Sequence, residues 1–148
     1  MTSILIGAVI GIIVSIPLTI VPTRRFLRPR HERAFYSLTL IPIAMIYIGF
    51  VYYYGDLDAL YAEIAGVLLF TVFALWAQFS TAWILAVGYV AHAFWDILHE
   101  IFVTGAGLPF PWTDVPPGYA AFCFVYDLII AVYIYQRYRL WEADRQTE

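Results

Sequence analysis

The chain has 148 residues, of which 63% are hydrophobic and 13% charged, with a formal net charge of −3 and a mean hydropathy of +0.78. A soluble domain carries about 25% charged residues, and a chain of this length cannot bury so much apolar surface in one aqueous core. The absence of lysine and of any basic domain argues against nucleic-acid binding, and the single cysteine, Cys123, excludes an internal disulfide. The composition therefore predicts an all-α, polytopic membrane protein.

The first apolar run, about residues 3–22, is predicted to span the membrane and to stay in place. It has no basic residue before it and meets arginines instead of a small-residue cleavage site, unlike a secretory signal. The second predicted span covers about residues 34–54. Gly55, Asp56 and Asp58 end it.

The stretch 59–103 is almost continuously apolar. As one helix it would be roughly 68 Å long, which is too long for a hydrocarbon core of about 30 Å. We place a turn at the polar patch 78–81, which gives spans of about 58–78 and 82–103. Residues 104–118 are rich in Gly and Pro and are predicted to form a loop, followed by a last span of about 118–138.

The arginines indicate the orientation of these five predicted spans. All eight basic residues fall on one side of the membrane when there are five spans: Arg24, Arg25, Arg28, Arg30, Arg33, Arg137, Arg139 and Arg145. The positive-inside rule makes that side cytoplasmic, with the N-terminus outside and the C-terminus in the cytoplasm. A four-span arrangement would place the two arginine clusters on opposite sides. We expect a multi-pass protein of the cell (plasma) membrane.

Membrane lipid is the expected partner of the protein. The arginine-rich loop attracts anionic lipid, and aromatic residues are placed near both predicted interfaces, as in interfacial belts. The outer set is Tyr52, Tyr53, Tyr54, Tyr61, Trp112 and Tyr119, and the inner set is Tyr36, Trp83, Tyr138 and Trp141. A homo-oligomer is a further expectation, because five helices make a thin bundle and Gly7 and Gly11 have small-residue packing spacing.

Six ionisable residues fall inside the predicted spans: Glu63, His92, Asp96, His99, Glu100 and Asp127. An Asp at mid-span costs about 2.5–3.5 kcal/mol on insertion scales, so such residues are functional candidates. His92, Asp96 and His99 lie within about 60° of one another on a helix, in one stripe, and Glu100 lies at its edge.

The predicted depths bring these groups together. At about 1.5 Å per residue, Glu63, Asp127 and the histidines lie roughly 6–16 Å from the outer end of their spans. One pocket open towards the outer face is the simplest interpretation. Two imidazoles and several carboxylates suit a divalent transition metal such as Zn, Fe or Mn, and a Cys123 thiolate would favour Zn or Cu. A His–Asp acid/base pair, a proton relay and a structural polar network remain alternatives.

The outer loop between the last two spans contains four prolines in residues 109–117 and is therefore stiff and non-helical. It joins the two helices that carry most of the candidate site. It either caps the pocket or is a rigid connector anchored by Trp112.

The segment 92–99, with the pattern His-x-x-Trp-Asp-x-x-His, resembles a family of small integral membrane proteins known only as a domain of unknown function. The resemblance continues through Pro109 and Phe110, Cys123 with Asp127, and Glu63. It covers about the last 85 residues well and the first two spans by hydropathy alone. Relatives are expected to carry His at position 100, where this chain has Glu, so Glu100 is not assigned as a ligand. The resemblance implies the membrane class and the site but no activity.

The leading hypothesis is a metal-dependent membrane enzyme that acts on a lipidic or small amphipathic substrate from the outer leaflet. His92, Asp96 and His99 bind the metal in this scheme. Glu63 and Asp127 are assigned to catalysis, Glu63 as general base and Asp127 as a fourth ligand or the partner of a histidine. A proton- or ion-coupled transporter or channel and a structural membrane subunit are the alternatives.

Overall fold

The computed structural model describes residues 1–103 and 112–146, and every regular element within these ranges is helical. The predicted all-α class is therefore confirmed. Five long helices follow one another in the described residues: α1 (Thr2–Phe26), α2 (Pro29–Tyr54), α3 (Leu57–Phe79), α4 (Trp83–Val103) and α5 (Tyr119–Gln146). One helix covers each of the five segments predicted from hydropathy. Of the predicted loop, residues 112–118 are described and are not helical.

Helix α1 continues past Pro17 by widening locally. Proline lacks an N–H and its ring crowds the carbonyl four residues earlier, and Ile16–Ile20 accordingly forms a π-helical segment. Thr19 Oγ1 donates a hydrogen bond to the Val14 carbonyl at 2.8 Å. These contacts keep α1 one long element.

The two ends of the bundle differ in charge. Successive helices alternate in direction, which brings the arginine-containing segments to one end and the aspartate-containing turns to the other. We call the end formed by residues 23–33, 79–83 and 137–146 the basic end, since it carries the arginines of the sequence. The opposite end, formed by residues 55–58 and 112–118, carries Asp56, Asp58 and Asp114 and is called the acidic end.

The turn between α3 and α4 lies at the basic end, where the polar patch 78–81 predicted it. Helix α3 ends at Phe79 and α4 begins at Trp83. Buried Arg33 of α2 donates hydrogen bonds from Nη2 to the carbonyls of Ala77 and Ser80. A cation on the last carbonyls of α3 stabilises that helix end.

A fully buried carboxylate links two helices at the basic end. Glu32, in the first turn of α2, accepts hydrogen bonds from three side chains of α5: Tyr133 Oη, Arg137 Nη2 at 3.0 Å and Trp141 Nε1 at 2.8 Å. Its charge is therefore compensated by one arginine and two neutral donors. This network fastens the start of α2 to the end of α5.

Two of the aromatics predicted for the inner interface lie in the core instead. Tyr36 is fully buried and hydrogen-bonds Thr23 at 2.7 Å, and Trp141 is 1% exposed because Glu32 binds its indole N–H. They stack on each other at 6.0 Å. Partners at the basic end thus explain why these two rings face inward, whereas Trp83 remains 46% exposed.

Glycines let α1 pack closely on α5. A Cβ added to Gly7 would lie 2.1 Å from the Gly118 carbonyl oxygen, and one added to Gly11 would lie 2.7 Å from that of Phe122. Gly118, with φ +83°, starts α5 against Ser3 in a conformation that favours glycine. The Gly7–Gly11 spacing therefore serves packing within this chain.

Within the part of the chain that the structure describes, four helical segments are long and apolar enough to cross a membrane: α1, α2, α3 and Tyr119–Asp144 of α5. Large apolar side chains cover their outer faces, with Leu5 65%, Leu68 62% and Val132 57% exposed. An aqueous surface rarely tolerates such an apolar area, so the fold is compatible with a multi-pass membrane protein. Helix α4 carries His92, Asp96, His99 and Glu100 and is not among these four segments.

Candidate metal and acid-base site

Two carboxylates and an imidazole meet between α4 and α5. His92 Nδ1 lies 2.7 Å from Asp127 Oδ2 and 3.5 Å from Asp96 Oδ2, and all three side chains have no exposed surface. His92 and Asp96 share a face of α4 because they are four residues apart. One ligating atom from each residue lies within 4.8 Å of the other two. We call His92, Asp96 and Asp127 the carboxylate–histidine triplet.

Tyr47 of α2 completes the surroundings of Asp96. Its hydroxyl donates a hydrogen bond to Asp96 Oδ1 at 2.5 Å, and its ring lies 4.2 Å from the His99 ring, centroid to centroid. Tyr47 is 1% exposed. Tyr47 therefore contacts both the triplet and His99.

The second pair joins α4 to α3, closer to the acidic end. His99 Nε2 lies 2.8 Å from Glu63 Oε1, and His99 Nδ1 lies 2.9 Å from the Trp95 carbonyl oxygen. A carbonyl only accepts hydrogen bonds, so Nδ1 carries a proton. One further proton is then held between Nε2 and Oε1, either on the imidazolium or on a protonated Glu63. This Glu63–His99 pair is 0–1% exposed.

Aromatic rings separate this pair from the acidic end. The Trp112 ring lies 4.8 Å from His99 and 5.3 Å from Trp95. The segment that follows Trp112 is tied to the α2–α3 turn, because Asp56 Oδ2 accepts hydrogen bonds from Thr113 Oγ1 at 3.2 Å and the Asp114 N–H at 2.8 Å. Beyond Trp112 is a cavity of about 390 Å³ lined by Asp56 and Asp58.

The chemistry of the triplet fits a divalent metal. Ligands that bind at about 2.0–2.2 Å lie at most about 4.4 Å apart, close to the 4.8 Å within which the three ligating atoms lie. Buried atoms without a hydrogen-bond partner in the described residues include His92 Nε2, Asp127 Oδ1 and Asp96 Oδ2. A protonated His92 would neutralise one of the two carboxylates, whereas a divalent cation neutralises both.

The structure brings together most of the residues predicted from sequence, in two groups. His92 and Asp96 are adjacent as predicted, but Asp127 lies beside them, whereas His99 lies with Glu63. Cys123 is 3% exposed and is not one of the three grouped residues. Glu100 lines a separate crevice between α1, α4 and α5. The Pro109–Phe110 part of the predicted cap lies outside the described residues, and Trp112 packs on His99.

Tyr47 and Glu32 are among the buried polar residues that were not predicted. Tyr47 lies in an apolar run with other tyrosines nearby, and nothing in its spacing separates it from an interfacial ring. Glu32 lies among arginines in a hydrophilic stretch, where a solvated acid is the ordinary expectation. Glu32 lies three residues after the start of α2, and its contacts with Arg137 and Trp141 of α5 are visible only in three dimensions.

A family model matches residues 4–139, nearly the whole chain. The chain belongs to DUF6010, a family of unknown function. This confirms the predicted relationship to an uncharacterised family. No curated protein and no solved structure matches the chain.

Proposed function

We propose that this DUF6010 protein is a five-span membrane protein that binds a divalent transition metal such as Zn, Fe or Mn at the carboxylate–histidine triplet and acts as a metal-dependent membrane enzyme. The observation that carries the proposal is the burial of two carboxylates and one imidazole within 4.8 Å of one another. In the described residues no arginine pairs with either carboxylate, and the sequence has no lysine. A buried pair of acids in such a place needs a cation or protons.

The burial pattern of α4 supports five spans. His92, Asp96 and His99 are fully buried, whereas Phe94 on the opposite face is 60% exposed. Ionisable residues are tolerated in a span when they face the bundle interior. Exposed aromatics lie at both ends, with Tyr61 85% exposed at the acidic end and Phe79 84% exposed at the basic end. With the arginines in the cytoplasm, the triplet lies in the outer half of the bilayer.

The Glu63–His99 pair supplies the acid/base part of the proposal. A bound metal would act as a Lewis acid at the triplet. His99 is three residues after Asp96, so the pair lies about 4.5 Å further along α4. Its shared proton can move between Nε2 and Oε1 without a change in the net charge of the pair, which suits a general acid or base. Tyr47 orients Asp96 by the hydrogen bond that its hydroxyl donates to Oδ1.

The surroundings of the site favour a lipidic or small amphipathic substrate. A crevice of about 200 Å³ between α1, α2 and α5 is lined by apolar groups including Val14, Ile43 and Phe122. Cys123 and Tyr119 also line it. Cys123 is four residues from Asp127 on the same face of α5. A substrate with an apolar chain would approach the triplet along this side.

A structural packing network is the second candidate, and a specific observation favours it. His92 bonds Asp127, Asp96 bonds Tyr47 and His99 bonds Glu63, so that direct hydrogen bonds join α4 to α2, α3 and α5. Buried bonds of this kind stabilise membrane bundles by themselves. Metal content separates the two candidates.

The deciding experiment is elemental analysis of the detergent-purified protein. We expect about one transition metal per chain in the wild type, and its loss in His92→Ala and Asp127→Asn. His99→Ala should retain the metal, because His99 pairs with Glu63 instead of the triplet. His31→Ala, at an exposed position in the arginine-rich stretch, is the matched histidine control.

Absence of metal from the wild type, even after reconstitution with Zn, Fe and Mn, would overturn the metal proposal. The triplet would then be a packing network, and Asp127→Asn should lower the unfolding temperature without any change in metal. Loss of metal in His99→Ala but not in Asp127→Asn would instead restore the ligand set predicted from sequence.

A second experiment tests the role of Glu63. Glu63→Gln keeps a hydrogen bond to His99 but cannot exchange a proton, so metal content and unfolding temperature should stay at wild-type values. Activity on lipid ester or lipid oxidation substrates should fall about 10²–10⁴-fold. Unchanged activity in Glu63→Gln would remove Glu63 from the chemistry while leaving the metal site intact.

A further inference from the structure

An apolar groove runs along the outside of the bundle between α4 and α5, on the half nearer the basic end. Its volume is about 580 Å³. Ala86 and Ala131 form the floor and are 7% and 5% exposed, whereas Val87 and Val132 form exposed walls. Trp83 and Tyr135 form the rim nearest the basic end, at 46% and 65% exposure. We call this feature the α4–α5 groove.

The length of the groove argues for a lipid chain over a helix. Its lining on α5 extends from Leu128 to Gln136, which is about 12 Å at 1.5 Å per residue. Half of a hydrocarbon core is about 15 Å thick, so the groove fits within one leaflet. A partner helix that crosses the membrane would need a face of about 20 residues.

A cation lies where the headgroup of such a lipid would be. Arg139 follows Tyr135 by four residues and Val132 by seven, so it continues the lining stripe of α5. It is exposed, and its Nε donates a hydrogen bond to Tyr138 Oη at 3.1 Å. Gln136 adds an exposed amide to the same rim. The acid on this face, Glu142, already accepts a hydrogen bond from the Ala82 N–H at 3.0 Å.

We propose that the α4–α5 groove binds one acyl chain of an anionic phospholipid, with the phosphate held by Arg139 and Gln136. Trp83 and Tyr135 are amphipathic rings of the kind that lie at the headgroup level. The guanidinium offers several N–H donors to phosphate oxygens. This inference rests on the membrane-spanning part of the proposed function and is independent of the metal site.

Native mass spectrometry of the detergent-purified protein with equimolar phosphatidylglycerol and phosphatidylcholine tests the proposal. The wild type should retain one lipid per chain, with phosphatidylglycerol preferred. Arg139→Gln should reduce that preference about five-fold, the effect expected for one arginine at a lipid headgroup. Ala131→Phe fills the floor and should reduce retention of both lipids. Val87→Trp, on the exposed wall, repeats the filling test if Ala131→Phe does not fold.

Matched controls lie elsewhere on the surface. Arg28→Gln removes an exposed arginine at the basic end outside the α5 stripe, and Ala65→Phe adds a ring to an exposed position on α3. Both should retain lipid as the wild type does. His92→Ala should also retain it, which separates this test from the metal experiment.

Three outcomes would overturn the proposal. One is equal retention of the two lipids by the wild type, which removes the role of Arg139. Another is unchanged retention in both filling variants, which places the lipid elsewhere. The third is a dimer that the filling variants dissociate, which assigns the groove to a second copy of the chain.

Discussion

Tyr47 connects the two polar groups on α4, and its hydroxyl and its ring have separate roles. The hydroxyl binds Asp96, whereas the ring packs on His99. Asp96 has one oxygen fixed by Tyr47 and the other facing His92. A hydrogen bond that orients a ligand in this way typically changes metal affinity 10–100-fold when it is removed.

Tyr47→Phe should therefore weaken metal binding about 10–100-fold while the packing against His99 persists. The measurement is a competition titration with a chelator of known affinity, together with helix content by circular dichroism. Tyr52→Phe is the matched control, since Tyr52 is 66% exposed. Equal affinities in wild type and Tyr47→Phe would show that Tyr47 only fills space.

Helical spacing and depth were enough to predict that His92 and Asp96 lie on one inward stripe. The partner of each group was harder to predict, because it depends on how α3 and α5 are rotated about their axes. Helices that are apolar on all sides give little periodic signal for that rotation. The sequence therefore predicted that Asp127 and His99 lie near His92 but could not decide which of them joins it.

At the scale of helices, the close packing of α1 on α5 depends on glycines, which have no side chain to hold the two backbones apart. Gly7 lies against the backbone of Gly118 and not against a flexible side chain, so an added methyl group cannot be absorbed by a rotamer change. Gly49, by contrast, has no atom within 4 Å of its added Cβ. The chain thus offers a matched pair of helical glycines.

Gly7→Ala should lower the unfolding temperature, because α1 has to move away from α5. Overpacking of this kind typically costs about 1–3 kcal/mol. Gly49→Ala should be neutral or slightly stabilising, since alanine is the better helix former. Thermal unfolding in detergent compares the two. A change of oligomeric state in Gly7→Ala, with no change in unfolding temperature, would instead assign Gly7 to an interface between copies.

The helices and the α3–α4 turn were predictable for a different reason than the site. Apolar length fixes where helices run, and the arginine distribution required an additional turn within residues 59–103. The network around Glu32 was not predictable, because a carboxylate beside arginines normally stays in water. It is buried here because three α5 side chains donate hydrogen bonds to it.

Across the whole molecule, the polar groups are distributed asymmetrically. At the basic end, Glu32 joins α2 to α5, and Arg33 joins α2 to the end of α3 by hydrogen bonds. The triplet and the Glu63–His99 pair lie towards the acidic end, with Trp112 over His99. Alternating access requires one site to open to each side in turn. Because these hydrogen bonds hold the helices together at the basic end, they favour an enzyme or a packing network over a transporter.

The predicted topology makes a direct prediction about which residues face the outside of the cell. In a Cys123→Ser background, Asp58→Cys should react with a membrane-impermeant maleimide in intact cells. Ala143→Cys should react only after permeabilisation, because five spans place it with the arginines in the cytoplasm. Both positions are exposed, so a failure to react reflects the membrane and not burial.

A four-span arrangement, with residues 59–103 as one crossing, gives the opposite result for Ala143→Cys and the same result for Asp58→Cys. Labelling of both positions in intact cells would therefore exclude five spans. Arg28→Cys, which both arrangements place in the cytoplasm, is the control for cell integrity. Five spans would place the α4–α5 groove in the cytoplasmic leaflet and the triplet in the outer half of the bilayer, so this one measurement orients both proposed sites.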